Sequence, residues 1–201
     1  MWYLYNIYKV LRKEKQMEDL NKLLDQIEWA IDNEQYNGGN LFVLLNEITV
    51  RYPDCIDAYF LLGKARAHTG YPEAAYEAYS KCIELDPTYY PAYINRGYLA
   101  YSQQNYKKAI EDYNYVISNE PSPQAYMNRG VAKYFSGDYK GAIIDYDKVF
   151  EIEPEANNWD FLYYNRGLAK YDNGDIYGAK TDYDKAIELN PNGNYLYYNI
   201  R

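Results

Sequence analysis

Glycines at Gly63, Gly97, Gly130 and Gly167 are separated by 34, 33 and 37 residues. Ala75, Ala109, Ala142 and Ala179 lie twelve residues behind them, and Tyr79, Tyr113, Tyr146 and Tyr183 a further four, so three series share one set of steps. Coincidence does not hold three registers together. Prolines at Pro53, Pro87, Pro121, Pro154 and Pro191 step by 34, 34, 33 and 37, which places the extra residues of the long unit after Pro154, around Glu155–Trp159. Repetition at a period of this size specifies an array, in which each unit is too small to bury its own apolar face and stacks on its neighbours.

Within a unit the apolar spacing is helical on both sides of a turn, as in Asp160 to Pro191 around Asn173-Gly174-Asp175. Each unit therefore reads as a helical hairpin. Glycine in mid-helix costs up to about 1 kcal/mol relative to alanine, so four at one register imply a close approach of the second helix. The small alanine on the second helix fits that approach. Proline then ends the second helix, since it lacks an N–H and disfavours helical geometry in the residue before it.

The frame Tyr/Leu-x-x-Leu/Arg-Gly…Ala-x-x-x-Tyr…Pro resembles the tetratricopeptide repeat over four consecutive units. The resemblance implies an all-α fold, a right-handed α-α superhelix of stacked helical hairpins whose concave groove is lined by the first helix, helix A, of each unit. Helix A is predicted at 56–69, 90–103, 123–136 and 160–173, and helix B at 72–85, 105–118, 138–151 and 175–189. Upstream, Leu41, Leu45 and Ile48 stand where the core residues of a helix B belong, but Trp29 holds the glycine position. The chain thus divides into a capping helix within 1–16, a degenerate first repeat at 17–55, and repeats at 56–89, 90–122, 123–159 and 160–194. Tyr195-Leu196-Tyr197-Tyr198-Asn199 opens a further helix A at 195–201, expected to fold back as a lid, with pairing of two copies as the alternative.

Counting the glycine as position eight, the resemblance assigns positions two, five, six, nine, twelve and thirteen to the groove. Position six holds Leu61 and then Asn95, Asn128, Asn165 and Asn199. A carboxamide both donates and accepts, so a row of them is suited to the backbone of an extended peptide, at roughly three ligand residues per hairpin. The alternative is that asparagine is only the repeat's solvated default there. Aromatic neighbours Tyr98, Tyr101, Tyr134, Phe135, Tyr164, Tyr171 and Tyr198 accompany Ile94, Met127, Val131 and Leu168. Either they form binding surface or, at position twelve especially, they pack between neighbouring A helices. The family's clamp for a C-terminal carboxylate needs several inward Lys or Arg, and only Lys64 qualifies. Acids on helix B, among them Glu73, Glu111, Asp145, Asp147 and Asp184, read as a solvated outer face.

Arg96, Arg129 and Arg166 occupy position seven, and the same units carry Asp112, Asp145 and Asp182 sixteen residues later, whereas the unit with Leu62 carries Ala78. Charge is present at both places or at neither. Structural Arg–Asp bridges are the expected reading, and inward arginines gripping an acidic ligand the alternative.

Several function classes are excluded by what the sequence lacks. Lys plus Arg total 21 against 29 Asp plus Glu, a formal charge of -8, which is not the footprint of a nucleic-acid binder. Two cysteines, Cys55 and Cys82, form no disulfide framework or metal-ligand spacing and fit a reducing, cytoplasmic setting. No cofactor fingerprint, metal motif or membrane span is present, and the sole histidine, His68, belongs to no catalytic constellation. The sequence predicts a non-enzymatic scaffold for a protein or peptide, monomeric or weakly dimeric. The alternatives are a module that self-assembles through its ends and a non-catalytic regulatory part of a larger protein. Its 29 tyrosines suit surfaces that are partly dry and partly wet.

Overall fold

The computed structural model describes the backbone of residues 2–35 and 38–193 and the side chains of 17–35 and 41–193. Asn199, Tyr198 and the expected lid at 195–201 lie outside the described residues. Among those residues there are helices and no strands, and consecutive helices pack in pairs. The chain divides into two compact units, residues 1–92 and 93–201.

In the first unit, α1 (Trp2–Asp32) is followed by α2 (Gly38–Arg51), α3 (Ile56–His68) and α4 (Pro72–Leu85). The helix α1 runs without a break through residue 16, so the capping helix expected within 1–16 and the first helix of the degenerate repeat are one element. Leu20, Leu24, Ile27 and Ile31, spaced by four, three and four, put one face of α1 into a core with Leu41, Leu45 and Ile48 of α2 and Leu61 and Leu62 of α3. Trp29 is 58% exposed. α1 thus turns to α2 a different face from the one that the glycines mark in later hairpins.

The helix α5 (Tyr90–Ser102) begins at the division, and the second unit continues with α6 (Tyr106–Asn119), α7 (Pro123–Phe135), α8 (Tyr139–Ile152), α9 (Asp160–Asp172) and α10 (Ile176–Leu189). The insertion after Pro154 is a short 3-10 helix, Pro154–Asn158, that buries Ala156, and Trp159 stacks on Phe161 at 5.7 Å. Starts are capped as their sequences dictate: Asp138 and Asp175 accept from the backbone N–H of Gly141 and Gly178, and Ser122 from that of Ala125. The turn before α8 and that before α10 place Gly137 and Gly174 at φ 88° and 90°, and Gln104 takes φ 60° at the equivalent place before α6.

One contact repeats in every hairpin from α3 onward. A methyl group built on Gly63 would lie 2.5 Å from Cε1 of Tyr79, and on Gly97, Gly130 and Gly167 it would lie 2.8, 2.7 and 2.7 Å from the same atom of Tyr113, Tyr146 and Tyr183. The glycine therefore makes room for a tyrosine ring from helix B. Burying such a ring stabilises by about 1.5–3 kcal/mol, which outweighs the cost of glycine in the helix.

Candidate functional site

The first helices of the second unit's hairpins, α5, α7 and α9, are joined along one face. The ring of Tyr101 meets that of Phe135 edge-on at 5.6 Å, and the Tyr134 hydroxyl donates to Asp172 at 2.7 Å. Asn95, Asn128 and Asn165 stand at the same register of the three helices and are half-buried. Among the described residues none of these three carboxamides has a hydrogen-bond partner. Their amide atoms are open to solvent, so a ligand's backbone would replace water there, each carboxamide offering both a donor and an acceptor.

Aromatic rings border the row. Tyr98 is 59% and Phe135 52% exposed, and Tyr171 is exposed as well. Tyr101 packs among Tyr98, Tyr106 and Phe135, and Tyr164 lies 6.0 Å from the ring of Tyr183. Position twelve thus differs from hairpin to hairpin: Tyr101 and Tyr134 bridge neighbouring first helices, while Tyr171 faces solvent. Burial, reinforced by Asp172, pushes the Tyr134 phenol well above its ordinary value, so it stays a donor. Burial also raises Tyr101.

The structure brings each arginine together with the aspartate sixteen residues on. Arg96, Arg129 and Arg166 each reach both carboxylate oxygens of Asp112, Asp145 and Asp182 through Nε and an Nη, at 2.6–2.9 Å. The fork geometry of guanidinium fits a carboxylate in two parallel bonds, a stronger and more directional contact than a lysine makes. Lys133 and Lys170 close on the same Asp145 and Asp182 at 2.9 and 2.8 Å. The remaining arginine nitrogen turns back to the preceding hairpin, from Arg129 to Asn114 and from Arg166 to Asp147, both at 2.7 Å. Aromatic rings flank these cations: Tyr126 lies 5.4 Å from the Arg129 guanidinium carbon, and Phe150 4.5 Å from that of Arg166. Burial opposes the charge on Arg166, yet Asp182 and Asp147 outweigh it and hold the guanidinium above its ordinary value.

Two sequence readings need correction. Asp145 is fully buried and Asp147 is half-buried on Arg166, so neither belongs to a solvated outer face. Lys133 and Lys170 stand four residues after Arg129 and Arg166 and share a helix face with them, a spacing that marks them in the sequence as further partners of the aspartates. In the first unit, Lys64 is held by Glu28 at 3.1 Å and Asp32 at 2.7 Å and is not free for a ligand's carboxylate.

Two cavities, of about 380 and 340 Å³, open in the first unit, one between α1 and α3 beside Tyr89 and one between α1 and α2. Among the described residues no cluster of His, Cys, Asp and Glu could hold a metal, and no helix is long and apolar enough to cross a membrane.

These features define a repeat array of helical hairpins that presents its first helices as a surface. Profiles described as tetratricopeptide repeat match residues 56–89, 94–156 and 161–192, and the chain belongs to the tetratricopeptide repeat family. Proteins of this family are generally non-catalytic interaction modules. Hsp70-Hsp90 organizing protein 1 of Glycine max is 30% identical over an alignment of 128 positions that covers 57% of this chain and 22% of that protein. The Hsp70-Hsp90 organizing protein of Triticum aestivum is 28% identical over 133 residues, with the same coverage of 57% and 22%. The chain thus spans only 22% of the length of these relatives. Among solved structures, residues 41 to the end of MamA from Desulfovibrio magneticus RS-1 share the fold with a TM-score of 0.74 at 19% identity, covering 87% of this chain and 97% of that one. YrrB, a TPR protein with an unusual peptide-binding site, shares it with a TM-score of 0.67 at 17% identity, covering 87% of this chain and 84% of that one.

Proposed function

We propose that this chain is a non-enzymatic scaffold whose second unit binds an extended peptide, or an extended segment of a partner protein, along the first helices of its hairpins. The observation that carries this reading is the row Asn95, Asn128 and Asn165, half-buried, in register and without partners among the described residues. Exposed Tyr98, Phe135 and Tyr171 supply apolar contact beside it. The likeness to chaperone-organizing proteins and to a peptide-binding repeat protein supports a protein or peptide as the partner class. The arginines and aspartates serve the hairpins in this reading and not the ligand, because each guanidinium already has two carboxylate bonds.

The test is a pull-down from extract, followed by affinity measurement on the captured partner, with wild type beside Asn128→Ala, Asn165→Ala. Each neutral amide bond contributes about 0.5–1.5 kcal/mol net, so the double variant should bind roughly tenfold more weakly. Unchanged affinity, with circular dichroism still native, sinks the ladder.

A further inference from the structure

Resting on that reading of the second unit, we infer that its ligand is a proline-rich segment in the polyproline II conformation. The first argument is periodicity. Neighbouring helices pack about 8–10 Å apart, whereas a polyproline II helix has three residues per turn at about 3.1 Å each, a repeat of about 9.3 Å. One ligand turn therefore advances by one hairpin. In a β-strand, residues three apart point to opposite sides, so a strand would show alternate faces to successive hairpins. The hairpins are alike at the contact register, with Asn95, Asn128 and Asn165 in the same place, and a ligand with a three-residue period shows each of them the same face.

The second argument is hydrogen-bond polarity. Proline has no N–H, so a proline-rich chain offers carbonyl acceptors and needs donors. The three carboxamide NH2 groups are donors without partners among the described residues, and so are the hydroxyls of Tyr98, Tyr101 and Tyr171. The third argument is charge. The cations of α5, α7 and α9 are Arg96, Arg129, Lys133, Arg166 and Lys170, and all five are bound to aspartates. What remains for a ligand is a surface without a free cation, made of amide and phenol donors edged by the rings of Tyr98, Tyr101 and Phe135, with the exposed carboxylate of Asp172 held by Tyr134 at its end. Proline rings stack on such aromatic edges, and the ligand loses little conformational entropy because it is already extended.

The experiment is calorimetric titration of the full chain with two end-capped, uncharged peptides of about ten residues, the span of three hairpins at three residues each: oligoproline, and a proline-free peptide of serine and valine. Oligoproline should bind, at least tenfold more tightly than the proline-free peptide. Binding should weaken about tenfold in Asn128→Ala, Asn165→Ala and severalfold in Phe135→Ala, whose exposed ring can be removed with the helical signal kept. Oligoproline that fails to bind, or binds undiminished in both variants, overturns the inference. If the proline-free peptide binds equally well and is lost in the asparagine variant, the polyproline assignment falls while the groove stands. Loss of the groove itself is read separately, from the pull-down described above.

Discussion

The hairpin α3–α4 in the first unit and the hairpin α7–α8 in the second share the glycine–tyrosine contact and differ in what lies beside it. In α3–α4 the neighbouring pair is Leu62 and Ala78, both buried and apolar. In α7–α8 the same two places hold Arg129 and Asp145, joined by Lys133 and tied to Asn114 of the preceding hairpin. The repeat therefore closes with either chemistry. An ion pair removed from water gains little net stability over a well-packed apolar pair, but it makes the loss of one member severe. Two parallel bonds with fixed directions also confine the arginine to one orientation, which an apolar pair does not do.

The largest expected effect falls on what the two hairpins share. Burial pushes the phenols of Tyr79, Tyr113, Tyr146 and Tyr183 well above the ordinary value of 10.0. A raised value in the folded state means that the unfolded chain releases its phenolic protons first, so this contribution is complete below pH 10 and is lost as pH rises beyond it. Alkaline titration should unfold both units together, with the final rise in tyrosinate absorbance coinciding with loss of the helical signal. Helicity that outlasts complete tyrosine ionisation would contradict the burial of these rings.

The next effect separates the two hairpins. Asp145→Ala leaves Arg129 and Lys133 without their counter-charge and should cost about 3–5 kcal/mol in chemical denaturation. Copying the apolar pair with Arg129→Leu, Asp145→Ala, and replacing Lys133 by the alanine that α5 carries at Ala100, should recover most of that loss. A triple variant no more stable than Asp145→Ala would show that the three residues do not act as a unit.

Gly130→Ala and Gly63→Ala should each cost about 1–3 kcal/mol, because the added methyl meets the Tyr146 or Tyr79 ring. Similar melting shifts for the two would confirm that this contact is indifferent to the chemistry beside it, and a shift in only one would deny it. The smallest change is Gln104→Gly, which relieves a left-handed residue at the turn where Gly137 and Gly174 stand in the other hairpins. It should stabilise the second unit by about 0.5 kcal/mol, and a melting point that falls would refute the strain.

The helix boundaries from α3 to α10 were legible in the sequence to within a residue or two, because glycine, tyrosine and proline each fix a different part of the hairpin. The first hairpin was not legible in the same way. Without a glycine the repeat's frame does not mark which face of α1 meets α2; the spacing of Leu20, Leu24, Ile27 and Ile31 marks it instead, and the outward Trp29 shows that the repeat's register does not extend there. The site was legible in part. Covariation of Arg129 with Asp145 identifies two residues that belong together, but it cannot reveal that Arg166 reaches back to Asp147, since that bond crosses from one hairpin to another. For the same reason helical periodicity alone made Asp147 look solvated.

That backward reach gives the array a rule for growth. A hairpin of the α7–α8 kind brings an arginine at one edge and, at the other, the acceptor that its successor's arginine will use, as Asn114 and Asp147 do. The α9–α10 hairpin carries Asp184 at that same place. Duplication of a whole hairpin would therefore insert a part whose two edges already fit each other, and the chain could lengthen by copying without inventing a new joint.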